Sequence, residues 1–232
     1  MRQRYGFGRV ASMPHRRAVL RIFGKLTIGL MSNRPAISEE AVILRGPLVT
    51  GFSNEEFFQF CQDNRDLRLE RTSDHEIVFM SPAGFLSSAH SAEVVRQLSN
   101  WNVANRLGRV GESSAAYVLP DKATLSPDAS WFSHATWARV PVELRNKFLP
   151  VCPEFVVEVK SPSDRIPTLQ AKMEQWLRNG AQLGFLLDCE TKTTWVYRPN
   201  QPVEELHGFT QELTGEPVLP GFALDLRPLR EE

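Results

Sequence analysis

The stretch CPEFVVEVKSPSD, residues 152–164, sets two charges inside an apolar run. Phe155, Val156, Val157 and Val159 read as a β-strand entering a core. Side chains alternate along a strand, so Phe155, Val157 and Val159 share one face while Glu158 and Lys160 share the other. Buried charges persist when they are paired, bound to metal or catalytic. An ion pair on a solvated sheet face is the competing reading. The apolar residues around Glu158 weigh against it, and a partner acid elsewhere in the chain would weigh more.

That acid is Asp128, 30 residues upstream in LSPDASWF, directly after Pro127 at the start of a second strand. Its own bland reading is a residue that opens a turn. Two carboxylates and an ammonium on neighbouring strands meet the needs of metal-assisted phosphodiester hydrolysis. Carboxylates suit a hard, hydrated cation such as Mg²⁺, for which Mn²⁺ can substitute. The cation acidifies a bound water and polarises the phosphate, and the lysine stabilises the charge that develops.

Pro127-Asp128 followed by Glu158-Val159-Lys160 resembles the PD-(D/E)XK signature of restriction-endonuclease-like nucleases. The ordered series LERTSDHEIVFMSPAG, LSPDASWFS, PEFVVEVKSPSD, LQAKMEQWLRNGAQLGFLLD, VYRPN and VLPGF is similar to the Uma-two family within that superfamily, over roughly residues 45–226. The resemblance implies a metal-dependent endonuclease acting on DNA, with Asp128, Glu158 and Lys160 as its core and Asp128 and Glu158 on the metal. It also implies site roles for Glu70, an upstream acid, and for Lys172, a helix lysine with Gln170 beside it. Where many relatives have Asn-Gly or Asp-Gly after that acid, this chain has Ser73-Asp74-His75, without the glycine that a tight primed turn favours. Two further readings stay open: an idle member serving as a nucleic-acid or protein interaction module, and a hydrolase acting on RNA or a small phosphate ester.

The rest of the chain bounds these expectations. Its 232 residues carry 27 basic and 27 acidic side chains. Residues 1–38 hold eight of the bases and no acid, which leaves 19 bases against 27 acids, a net charge of −8, on the remainder. Such a remainder lacks the basic face of a non-specific polyanion binder. The basic segment reads as an arm or as a misassigned start with Met31 as initiator, and residues 39–232 as one domain. Three isolated cysteines indicate a reducing compartment, hence a cytoplasmic protein. No apolar run is long enough for a membrane span. A homodimer stays open.

Periodicity predicts helices over SNEEFFQFCQDN (53–64), along Val94, Val95, Leu98 and Trp101 to a close near Gly108, and over 168–180 ending at Gly180. Strands are expected at HEIVFM (75–80), GRVGESSAAYVL, ATLSPDASWF, the opening stretch, AQLGFLLD and TTWVYRP, with KSPSD capping the helix after it. The result is an α/β class: a mixed, partly antiparallel sheet flanked by helices, restriction-endonuclease-like, in a single domain. The five histidines lack zinc-ligand spacing, and His90 is placed only near the site. Trp137, in a polar loop, is the candidate for stacking on a base.

Overall fold

Three sheets and five α-helices, one of them the single turn Pro47–Thr50, make up the computed structural model, which describes residues 42–230. The expectation for residues 1–38 therefore lies outside the described residues. The main sheet has six strands, β4 (Gly108–Glu112), β7 (Ala129–Ser133), β8 (Phe155–Val159), β9 (Leu183–Asp188), β10 (Thr193–Tyr197) and β11 (Glu204–His207), in the order β11-β10-β9-β8-β7-β4. Only β8 and β9 run parallel, with Glu158 beside Leu186; the other neighbours are antiparallel. Such a parallel pair needs a crossover, and α4 (Ile166–Arg178) supplies it. A smaller sheet of β1 (Ile43–Leu44), β2 (Arg68–Arg71), β3 (Ile77–Met80), β5 (Tyr117–Val118) and β6 (Thr124–Leu125) has the order β1-β3-β2-β6-β5.

Alternation along β8 sorts its residues as the sequence predicts. Phe155, Val157 and Val159 join a cluster with Val94, Leu98 and Trp101 of the long helix α2 (Phe85–Asn105) and with the β12 (Glu212–Thr214) and β13 (Ala223–Asp225) hairpin. Val156 joins the opposite cluster, with Met173 and Trp176 of α4 and Leu186 of β9. Glu158 alternates with Val157 and Val159 and so lies on this second face, under α4. Asp121 pins the C-terminal end of α4 by accepting from Gln175 Nε2 and Asn179 Nδ2, both at 2.8 Å.

The helix ends follow local chemistry, with one departure from expectation. At the start of α1 (Asn54–Asp63), Ser53 and Glu56 close the predicted capping box: Ser53 Oγ accepts from the Glu56 N–H and Glu56 Oε2 from the Ser53 N–H. α2 closes near Gly108, as expected, at Arg106, which takes the left-handed conformation (φ 54°). KSPSD, by contrast, does not cap α4. Asp164 turns back to accept from the N–H and hydroxyl of Ser161, and Arg165 stands at the N-cap without a side-chain bond.

Gly108 is needed for packing: a Cβ there would run into the Phe132 carbonyl oxygen and the Trp131 ring. Neither neighbour can yield, since one is backbone and the other is a buried indole held by Asn102. Gly108→Ala is therefore expected to destabilise the protein by about 1–3 kcal/mol, the usual cost of overpacking. Urea unfolding checks this, with a lower midpoint at unchanged slope as the expected result.

Candidate active site

Three elements converge on one buried patch of carboxylates. Ala129 of β7 lies opposite Val157 of β8, and one further step of that antiparallel register sets Asp128 opposite Glu158. Asp128 Oδ2 accepts from the Val159 N–H at 2.8 Å, so the strand pair itself orients this acid. Glu70 arrives from β2 in the smaller sheet. Its Oε1 accepts from the Ser126 N–H at 2.9 Å, which ties β2 to the segment that carries Asp128. The turn that returns β2 to β3 forms without glycine, because His75 adopts the left-handed conformation (φ 63°) and its N–H bonds the Thr72 carbonyl.

The third element is α4, where Lys172 and Trp176 sit one turn apart on the face toward the sheet. Lys172 Nζ donates to Glu70 Oε1 at 3.0 Å, to the Ser126 carbonyl at 3.1 Å, and to Glu158, whose two oxygens lie 3.0 and 3.2 Å away. Those three acceptor groups match the three donors of an ammonium. Trp176 Nε1 donates to Glu158 Oε1 at 3.0 Å. Glu158 and Glu70 are 4% and 7% exposed, so neither carboxylate is hydrated in the ordinary way.

The electrostatics follow from this crowding. Burial pushes the Glu158 carboxyl up to about 8, and the neighbouring Asp128 and Glu70 act in the same direction while Lys172 opposes them. Asp128 is also raised by burial, against the pull of the Val159 N–H, Lys172 and Arg68. For Lys172 burial disfavours the ammonium, but the charges of Glu158 and Glu70 outweigh it and raise its pKa. The patch is thus a set of acids held together by one internal cation.

The other candidates are placed differently. Lys160, which alternation groups with Glu158, makes no ion pair with Asp128 or Glu158. β8 ends at Val159, the Lys160 N–H goes to the Leu187 carbonyl, and its ammonium lies 3.5 Å from Glu190 and 3.9 Å from Asp188. It lines a cavity of about 330 Å³ with His90, Glu190 and Lys192. Gln170 is half-buried on α4. Trp137 sits in a short helix, α3 (His134–Arg139), and not in a loop. Its ring stacks on Phe132 and is covered by the guanidinium groups of Arg109 and Arg145, at 4.3 and 4.5 Å, which leaves no open face for a base.

A divalent cation is compatible with this donor chemistry. Mg²⁺ takes oxygen ligands and needs only one or two carboxylates, with water filling the remaining positions. Asp128 and Glu158 offer two on adjacent strands. Among the described residues no cluster of three or more His, Cys, Asp or Glu is arranged to hold a metal, and the Lys172 ammonium lies against both Glu70 and Glu158.

A mixed sheet flanked by helices, with its acids at the β7–β8 end, is a restriction-endonuclease-like fold. A family model described as "Putative restriction endonuclease" matches residues 54–227, and the chain belongs to that family, Uma2. The fold is also similar to a solved structure from Anabaena variabilis ATCC 29413, titled "a putative nuclease belonging to DUF820", with a TM-score of 0.60 and 22% identity over 77% of this chain and 97% of that one. No curated protein matches. Among the described residues no helix is long and apolar enough to cross a membrane.

Proposed function

We propose that the chain is a cytoplasmic nuclease that hydrolyses DNA phosphodiester bonds with a divalent cation, Mg²⁺ or Mn²⁺, at Asp128 and Glu158. The observation that carries this reading is the buried pair Glu70 and Glu158 on one ammonium, with the half-buried Asp128 opposite Glu158 on the next strand, in a family of nuclease-like fold. Structural cores avoid three such acids, because each must be paired or neutralised at a cost in desolvation. DNA as the substrate is supported by the family's description as a restriction endonuclease.

Each residue then has a part. The Val159 N–H fixes the Asp128 carboxylate, and Trp176 and Lys172 fix Glu158. When bound, the cation would acidify a water and polarise the phosphate. Lys172 is assigned the positive charge beside the reacting groups, since its ammonium already lies against Glu158 while that of Lys160 is drawn to Asp188 and Glu190. Hydrolysis forms one bond from the water oxygen to phosphorus and breaks one ester P–O bond.

Supercoiled plasmid incubated with the full chain and Mg²⁺ or Mn²⁺ tests the proposal. Nicked or linear product is expected from the parent, with loss of product on addition of EDTA and in Asp128→Asn. Equal product from Asp128→Asn would place the chemistry elsewhere. A parent that leaves the plasmid intact would favour the idle-module reading, for which the saturation of Lys172 by its three acceptors is the supporting observation.

A further inference from the structure

Arg68 occupies a position that the acid cluster leaves otherwise unexplained. It lies two residues before Glu70 on β2, so the two side chains leave the strand on the same face. Glu70 is buried there, whereas Arg68 is exposed. Among the described residues its guanidinium makes one hydrogen bond, from Nη2 to the Ser113 carbonyl at 2.9 Å, and no ion pair. An arginine has five N–H donors, so four remain for another acceptor. Arg96 and Arg227 are tied to the acids Glu93 and Asp225, whereas Arg68 has no acid partner among the described residues.

Its surroundings give those donors a direction. Two cavities, of about 270 and 470 Å³, share Arg68 and Ser113 as part of their walls. Glu70 and Ser126 line the first; Asp128, Ser88 and Ser91 line the second. Arg68 therefore stands between the two acids and faces solvent from both sides. Its charge also reaches Asp128, where it favours the ionised carboxylate. A domain with a net charge of −8 outside the basic leader must attract a polyanion through a few local cations, and this one adjoins the carboxylates.

We infer that Arg68 is a substrate-contacting residue that grips the phosphodiester to be cut and positions it over Asp128 and Glu158. The inference rests on the nuclease reading above. The planar guanidinium fork matches two non-bridging phosphate oxygens and holds them in a fixed orientation, which a lysine ammonium does not do. An anion gripped there extends into the cavity on either side, so the flanking nucleotides have room in both directions.

The test compares the full-length parent with Arg68→Ala and Arg68→Lys. It measures equilibrium binding of a fluorescent DNA duplex in EDTA across a salt series, and single-turnover cleavage in Mn²⁺. Arg68→Ala should bind at least tenfold more weakly, with the slope of log affinity against log salt reduced by about one, as for one lost phosphate contact. Arg68→Lys should recover the slope but still cleave at least tenfold more slowly, because charge returns without the fork. Melting temperatures within a few degrees of the parent are expected throughout. Binding that is undetectable in the parent, or unchanged in Arg68→Ala, overturns the inference. Full recovery of cleavage by Arg68→Lys also overturns it and leaves a structural tether to Ser113. A parent that binds through Arg68 but cuts nothing defeats the nuclease reading and leaves the phosphate contact standing.

Discussion

Lys172→Met should lower the stability of the metal-free protein by about 3–5 kcal/mol at pH 9, above the titration of Glu158, the usual result of removing one partner from a buried ion pair. Methionine keeps the length and most of the apolar stem, so the change isolates the charge. Without it, Glu70 and Glu158 lose an ammonium at 3.0 Å and face each other and Asp128 in a site with little water. For a domain of this size the expected fall in Tm is about 10 °C. The loss should shrink at pH 5, where Glu158 is protonated on folding and no longer needs a counter-charge. It should also shrink in Lys172→Met/Glu158→Gln, because removal of both partners leaves fewer uncompensated charges than removal of one. Under the proposed function, Mn²⁺ should raise the Tm of Lys172→Met more than that of the parent, since a bound cation replaces the missing charge and stabilises by mass action. Thermal melts with EDTA or Mn²⁺ decide it. A variant as stable as the parent at pH 9 would mean that the acids are neutral even there and that Lys172 holds nothing together.

Much of the architecture was legible because it rests on local rules. The apolar runs of β8, β9 and β10 are buried along their whole length and read as strands without ambiguity. The capping box at Ser53 and Glu56 is a four-residue signal that forms as written. Glu158 lands beneath α4 because pleat alternation holds as far as Val159. Lys160 lies one residue beyond the strand, where local sequence no longer decides the partner. Its ammonium is paired by Asp188, at the end of β9, and Glu190, in the turn that follows.

Other features depend on long-range assembly. Nothing near Trp137 in the sequence announces that Arg109, from β4, and Arg145 will cover its ring. Arg71 is fully buried over the Phe57 ring and donates to carbonyls at the start of α1 and to Asn54, a set of partners spread over distant positions. Arg68 is different, for its signal was present. An arginine two residues before a suspected site acid on one strand must share that acid's face.

Glu158→Gln should remove most of a decline in stability between about pH 5 and pH 8. The Glu158 carboxyl titrates near 8 in the folded protein against an ordinary value of 4.5, so between these values the folded chain holds a proton that the unfolded chain releases. Stability therefore falls as pH rises through this window, at up to about 1.4 kcal/mol per unit, and levels off above it. Asp128, also raised by burial, adds to the decline. The groups facing Glu158 are Lys172, Asp128, Glu70 and the Trp176 indole N–H. Lys172 remains charged throughout because its own pKa is raised. Carboxylates lowered in the folded state, such as Glu93 under the hydrogen bonds of Arg96, contribute stability that is lost only at more acid pH, so they do not mask the effect. Glutamine keeps an oxygen for Trp176 and carries no charge, so the variant should match the parent near pH 5 and exceed it by on the order of a few kcal/mol at pH 8. Urea unfolding in EDTA at half-unit pH steps measures both curves. Parallel curves would show that Glu158 is ionised throughout, held so by Lys172, and would remove the protonated carboxyl from any account of the site.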